Sequence, residues 1–199
     1  ECNANNITVP IKLCCLGKKE MFSELGREFN VTDYTRDEIL PFAVLAAHSK
    51  LNINKIVSYH STVNRSKEFV DMARPLLEEE GFSLSHVDGK MSRKEQDRIL
   101  AEARSVDKSL VANCMLWREG VDVPEWDLVV LADAVKSPVA AKQIIGRASR
   151  PHTNKEYGYV FIPHIFDEET GFEVDSGGYS EFVSMFQSMV EDDPQLERD

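Results

Sequence analysis

A chain of 199 residues, 42% apolar and 29% charged, is long enough to bury one substantial core and is composed like a soluble globular domain. No apolar run approaches the roughly 18 residues of a membrane span, and no basic region followed by an apolar core opens the chain, so neither a membrane protein nor a secretory leader is expected. A net charge of -11 argues against a basic nucleic-acid footprint, and four cysteines, Cys14 and Cys15 adjacent, Cys2 and Cys114 isolated, fit neither a disulfide framework nor a zinc site and favour a reducing compartment, cytosol or nucleus.

Segments rich in β-branched residues alternate with helical patterns from Ile7 to Pro163, which is how a mainly parallel α/β sheet reads. The chain begins at Glu1 rather than methionine and reads as an excised fragment. A first strand is expected near Ile7 to Cys14. Between Thr35 and Ser49, Ile39, Leu40, Phe42, Ala43, Ala46 and Ala47 recur at helical spacing, ahead of a strand at Lys55 to His60. Ser66 to Glu80 predicts a helix closed by Gly81 and kinked or split by Pro75. A strand at Phe82 to His86 follows. Ser92-Arg93-Lys94-Glu95 has the form of a reciprocal capping box opening a helix that reaches about Ala103. Strands are expected at Ser109 to Cys114 and Asp127 to Ala132. Ser137-Pro138 places an N-cap before a proline at the first helical position, so Gln143 falls inside a helix and Arg147 and Arg150 at or just beyond its end. After a last strand at Tyr157 to Ile162, Phe166 to Gly178 reads as an acidic loop and Tyr179 to Val190 as an amphipathic helix. Residues 1–163 therefore form the expected domain, with 164–199 packed on it or trailing from it.

The acidity is unevenly placed. From Pro151 onward twelve Asp and Glu face only Lys155 and Arg198, leaving 21 basic against 22 acidic residues before it. A near-neutral body can hold a strand through local dipoles and a few cations, though tight binding by this fragment alone is not expected.

Residues 143–150, Gln-Ile-Ile-Gly-Arg-Ala-Ser-Arg, carry the sharpest chemistry. Arginines at i and i+3 lie on one side of a turn, and Gly146 lets a phosphate chain approach the backbone closely. Such a clamp suits the charge that spreads over the oxygens of a transferring γ-phosphoryl group. The plainer alternative is that these arginines favour a helix dipole or pair with Asp133. Glu119-Gly120-Val121-Asp122-Val123-Pro124 places a carboxylate where it can accept hydrogen bonds from a ribose hydroxyl, or where it merely forms a turn.

Taken together, strand with Ala112-Asn113-Cys114, then Gly120 to Pro124, strand, helix and Gly146-Arg147-Ala148-Ser149-Arg150 resemble motifs V and VI of the second RecA-like lobe of superfamily 2 helicases and translocases, in particular the type III and type ISP restriction-enzyme-like branch. Lys55 to Ser61 resembles motif IV, and His86-Val87-Asp88-Gly89 the polar turn before the next helix. The resemblance implies a RecA-like three-layer domain with helices on both faces of the sheet. It implies ATP and Mg2+ bound mainly by a preceding N-terminal RecA-like lobe, with Arg147 and Arg150 as catalytic cations and Gly120, Asp122, Gln143 and Gly146 around the nucleotide. Ser61, Gly89, Asn113 and Cys114 would lie near a DNA or RNA backbone, DNA being favoured by the branch. A thiol at Cys114 is a weak donor to phosphate; Trp117 either stacks on a base or packs on protein.

No G-x-x-x-x-G-K-[ST] and no strand-ending D-E-x-x box occurs, so this fragment alone should not hydrolyse ATP. His60 and His86 read as core or turn histidines, and no metal site is expected. The rival reading is a non-catalytic helicase-like interaction module; a dinucleotide-binding enzyme is disfavoured because no G-x-G-x-x-G opens a helix.

Overall fold

In a computed structural model of the chain, residues 11–17, 35–114, 125–152, 155–166, 173–175 and 196–197 are described. Their elements are β1 (Ile11–Gly17), α1 (Arg36–Leu51), β2 (Lys55–His60), α2 (Val63–Leu77), β3 (Ser83–Asp88), α3 (Arg93–Ser105), β4 (Ser109–Cys114), β5 (Leu128–Leu131), α4 (Pro138–Ala148), β6 (Gly158–Phe166), β7 (Glu173–Asp175) and β8 (Leu196–Glu197). One sheet runs β3-β4-β2-β5-β6-β1-β8, with every neighbour parallel, and β7 adds antiparallel to β6.

Residue parity divides the core into two layers, because successive strand side chains point to opposite faces. Val57, Tyr59, Val111, Val129, Leu131 and Val160 pack with Ile99 and Ala103 of α3 and Ile144 and Ala148 of α4. Ile56, Leu110, Leu128, Val130 and Phe161 pack with Ala43 and Val44 of α1 and Phe69 and Ala73 of α2. This is the expected three-layer arrangement. β4 and β5 are buried along their whole length, and β2 along all but Lys55, as parallel strands covered on both faces are; β5 accordingly is wholly apolar.

Local signals differ from expectation where a competing interaction wins. The reciprocal capping box forms at Thr35 and Glu38, not at Ser92: the Glu38 carboxylate accepts from the Thr35 N–H at 2.7 Å, whereas Glu95 donates its N–H to Ser92 Oγ at 3.3 Å and turns its carboxylate to Arg98 at 2.8 Å. Helix α2 starts three residues before Ser66, because the Thr62 hydroxyl accepts from the Arg65 N–H at 3.2 Å. Pro75 does not split it. The proline sits in the last turn, so only one intrahelical bond is lost, and the chain leaves through Gly81, whose φ of +84° suits a residue without a Cβ. Strand β6 runs on through Pro163, past the expected boundary: its register against β1 shifts between Cys14 and Leu16, a bulge that accommodates a residue with no N–H to donate. β7 and β8 then join the same sheet, while the expected helix over 179–190 lies outside the described residues. No helix among the described residues is long and apolar enough to cross a membrane.

The connection after β2 leads towards β3 and that after β5 towards β6, in opposite directions along the sheet. Adjacent parallel strands whose connections diverge leave a crevice outside their C-terminal ends, where ligands of open α/β sheets bind. Here that crevice lies between His60 and Leu131.

Candidate nucleotide and nucleic-acid site

At the C-terminal edge, Ser61 is exposed, but its N–H donates to Asp133 Oδ2 at 2.7 Å. Arg65, on the first turn of α2, donates from Nε to the same oxygen at 3.1 Å and pairs through Nη2 with Asp133 Oδ1 at 2.9 Å. It also forks onto Asp37 of α1 at 2.7 and 3.0 Å. One guanidinium thus ties α1, α2 and the end of β5 together. Burial works to raise the Asp133 carboxyl; the Ser61 N–H and hydroxyl and the Arg65 charge overcome it and hold the group below the usual carboxylate range. Asp133 is therefore held by Ser61 and Arg65 together.

Beneath α2 lies a buried polar chain. Ser66 Oγ donates to the Val63 carbonyl at 2.9 Å and faces His86 Nδ1 at 2.9 Å, and His86 Nε2 faces Asp88 Oδ2 at 2.9 Å. Asp88 Oδ1 accepts from the Lys90 N–H at 2.7 Å, closing the turn that carries exposed Gly89. Although it links a serine, a histidine and an aspartate, Ser66 is wholly buried, so the chain braces the turn and offers no nucleophile. His60, with Ser58 Oγ at 2.9 Å from Nε2, is pushed down to about 4 by burial; Asp133 opposes the shift, and Arg65 and His86 add to it.

His60 has a consequence for stability. Its folded pKa of about 4 lies below the ordinary 6.5, so the unfolded chain binds more protons between those values and stability falls as pH falls through that window. The shift corresponds to about 3 kcal/mol when complete. Urea unfolding from pH 7 to pH 4.5 should show this decline, and His60→Asn should flatten it; an unchanged slope would refute the assignment. Asp88 and Asp133, lowered from 3.8, withdraw their stabilisation only at more acid pH.

Helix α4 carries the arginine motif. Ser137 Oγ accepts the Ala140 N–H at 3.3 Å ahead of Pro138, the expected start. Gln143 is exposed, Gly146 and Arg150 are half-buried, and Arg147 is only 7% exposed. The helix ends at Ala148, between the two arginines, and they differ in burial: Arg147 lies with Ile144 and Ala148 on the inner face, and Arg150 follows half-buried in the terminal turn. Burial pushes the Tyr59 hydroxyl up to about 12, and the nearby charge of Arg147 pulls the other way. At Gly146 an added Cβ would meet nothing within 4 Å, and Gly146 is not among the residues with positive φ. Nothing among the described residues therefore requires glycine there. At Gly158 the opposite holds, since a Cβ would fall 2.0 Å from the Ala148 carbonyl oxygen. The start of β6 is pressed against the end of α4.

With this geometry in place, residues 36–152 match the model of the helicase conserved C-terminal domain. The chain belongs to that family. Its parallel sheet with helices on both faces is the RecA-like fold of the solved helicase structures it resembles. The chain is 27% identical over 94 residues to the Saccharomyces cerevisiae protein IRC3, named as an ATP-dependent helicase, an alignment covering 47% of this chain and 14% of IRC3. The fold matches the type ISP restriction-modification enzyme LlaBIII bound to DNA with a TM-score of 0.71 and 19% identity, over 94% of this chain and 14% of that one. It also matches domain 2 of the DEAD-box helicase Mss116p bound to an RNA duplex, with a TM-score of 0.58 and 9% identity, over 92% of this chain and 79% of that one.

Ser61 and Gly89 occupy the C-terminal edge of the sheet and are exposed. Asn113 and Cys114 end β4 at the same edge but are buried, Asn113 completely, because β4 is covered on both faces. Gly120 and Asp122, with Trp117, lie outside the described residues. Sequence reasoning missed the Arg65 clamp and the Tyr59 hydroxyl near Arg147: Asp133 was weighed as a partner of the motif VI arginines, and nothing in the linear pattern brings Arg65 to it. Among the described residues no group of His, Cys, Asp and Glu could hold a metal ion.

Proposed function

We propose that this lobe is the second half of an ATP-dependent helicase or translocase motor, acting on DNA in preference to RNA and completed by a preceding RecA-like lobe. The observation that carries the reading is the outward side of α4: Gln143 exposed, open space before Gly146, and Arg150 presented in the turn that follows. A glycine with no reason inside its own lobe finds one in a phosphate chain that must approach the backbone.

ATP, when bound, supplies a γ-phosphoryl group whose transfer to water spreads negative charge over its oxygens. Arg150 stabilises that charge more than it stabilises the ground state, Gln143 helps to orient the arginine network, and Asp122 with Gly120 serves the ribose side. Arg147 joins only when its side chain leaves the inner face, which links its contribution to closure of the cleft. Mg2+ falls to the preceding lobe. Across the C-terminal edge, Ser61 and Gly89 present the surface to a nucleic-acid backbone, with Asn113 and Cys114 supporting it from below. LlaBIII bound to DNA and Mss116p domain 2 bound to RNA support a nucleic-acid partner, and the LlaBIII branch favours DNA.

The reading makes this lobe by itself inert: steady-state ATP turnover should stay at the buffer rate with or without oligonucleotide, and hydrolysis well above it would contradict the half-motor assignment. In the full-length protein, ATP analogues and single strands should both crosslink, whereas a non-catalytic scaffold crosslinks to neither.

A further inference from the structure

The guanidinium of Arg65 supplies orientation more than stability. Its Nε and Nη2 meet the two oxygens of Asp133 at 3.1 and 2.9 Å, and its Nη1 and Nη2 meet those of Asp37 at 3.0 and 2.7 Å. Side-chain exposures of 31% for Arg65 and 45% for Asp37 leave these charges close to water, where ion pairs contribute little to folding. A two-point contact does fix the plane of a carboxylate, which takes a rigid planar cation. The backbone that carries the cation is fixed as well, since the Arg65 N–H donates to the Thr62 hydroxyl at 3.2 Å in the capped first turn of α2.

Asp133 passes that orientation on in two directions. Its Oδ2 accepts from the Ser61 N–H at 2.7 Å, and the Ser61 hydroxyl reaches the same carboxylate. Four residues further along the chain, Ser137 caps α4, the helix that leads to Arg150. Ser61 follows β2 and Asp133 follows β5, so one carboxylate spans the crevice where the sheet connections diverge.

We propose that Arg65 is a positioning residue through which contact of a nucleic-acid strand at Ser61 sets the placement of α4. The inference rests on the motor reading and adds to it a route from the strand to the arginine motif. A serine hydroxyl carries one proton, and while that proton is donated to Asp133 it is not available to a phosphate. When a strand phosphate takes it, the carboxylate loses a donor and re-seats on the Arg65 cation. The capped turn of α2 holds the cation in place, so the displacement goes into residues 133–137 and the start of α4. The fork onto Asp37 ties α1 to the same cation and lies off this route.

The test uses the full-length protein, a fluorescein-labelled single-stranded oligonucleotide and a non-hydrolysable ATP analogue, and reads the ratio of oligonucleotide dissociation constants without and with the analogue. In the native protein that ratio should depart from one by roughly tenfold. Ser61→Ala, at an exposed position and with the amide bond to Asp133 kept, should bring it to within about twofold of one. Arg65→Lys should do the same, because an ammonium keeps the charge and loses the fork. Asp37→Ala is the stability control: it should lower the melting temperature about as much as Arg65→Lys and leave the ratio within about twofold of native. A native ratio in folded Ser61→Ala or Arg65→Lys would overturn the proposal, and so would a ratio lost equally in Asp37→Ala, which would make the guanidinium a brace and nothing more. A native protein that binds both ligands without either affecting the other also overturns it and leaves the motor reading standing. If the native protein binds neither, the motor reading falls and the positioning role with it.

Discussion

Replacing Arg150 by alanine in the full-length protein should lower nucleic-acid-stimulated ATP turnover by on the order of 10³-fold or more while leaving the melting temperature of the lobe unchanged. The argument has two parts. Arg150 is half-buried in the turn after α4, so its guanidinium can be removed without opening the core. A cation that meets charge developing only in the transition state contributes to kcat rather than to substrate affinity. Arg147→Ala should behave differently. Its side chain is 7% exposed and packs on the inner face, so truncation leaves a void and costs about 2 kcal/mol or more in addition to any loss of turnover. Paired measurements of turnover and thermal unfolding separate the two; equal melting temperatures with equal residual activities would contradict the distinction drawn between a buried and a presented arginine.

Gly158→Ala should destabilise the lobe by about 3 kcal/mol, the upper part of the range for forcing an atom into a packed interior. The new Cβ would stand 2.0 Å from the Ala148 carbonyl oxygen, 2.5 Å from its carbon and 3.0 Å from its Cβ. Two of these are backbone atoms, which have no alternative rotamer, so β6 and the end of α4 must separate. That movement displaces Arg147 and Arg150, and turnover per folded molecule should fall as well. The denaturant midpoint reports the first effect and active-site titration the second. A midpoint equal to that of the native chain would mean that β6 does not press on α4 as described. Gly146→Ala is the control: with open space before it, alanine should leave the midpoint near native while interfering with nucleotide engagement.

Strands β2 and β4 were legible at their observed bounds because Ile56-Val57 and Leu110-Val111-Ala112 are short apolar runs that a sheet covered on both faces buries, with the polar Ser58, His60, Ser109 and Asn113 buried alongside them. Helix boundaries were less so. Thr35 and Ser92 both offer a side chain to an amide three residues on, and the sequence alone does not reveal that Glu95 will answer to Arg98 while Glu38 returns to Thr35. The ladder break at Pro163 was visible as a proline; that the strand resumes beyond it depends on a bulge against β1, a partner some 150 residues earlier.

The same division runs through the site. By itself the order of residues determined the α/β class, the family and the short motifs, because hydrophobic period, capping residues and the Gln-x-x-Gly-Arg-x-x-Arg string are local properties that survive without knowledge of neighbours. Tertiary structure alone decided that Arg147 turns inward while Arg150 does not, that Asp133 is held by Ser61 and Arg65 together, and that a cleft opens between β2 and β5. Each of these depends on which distant segments the sheet order brings side by side, and burial, charge pairing and cavity shape are properties of such pairs of segments.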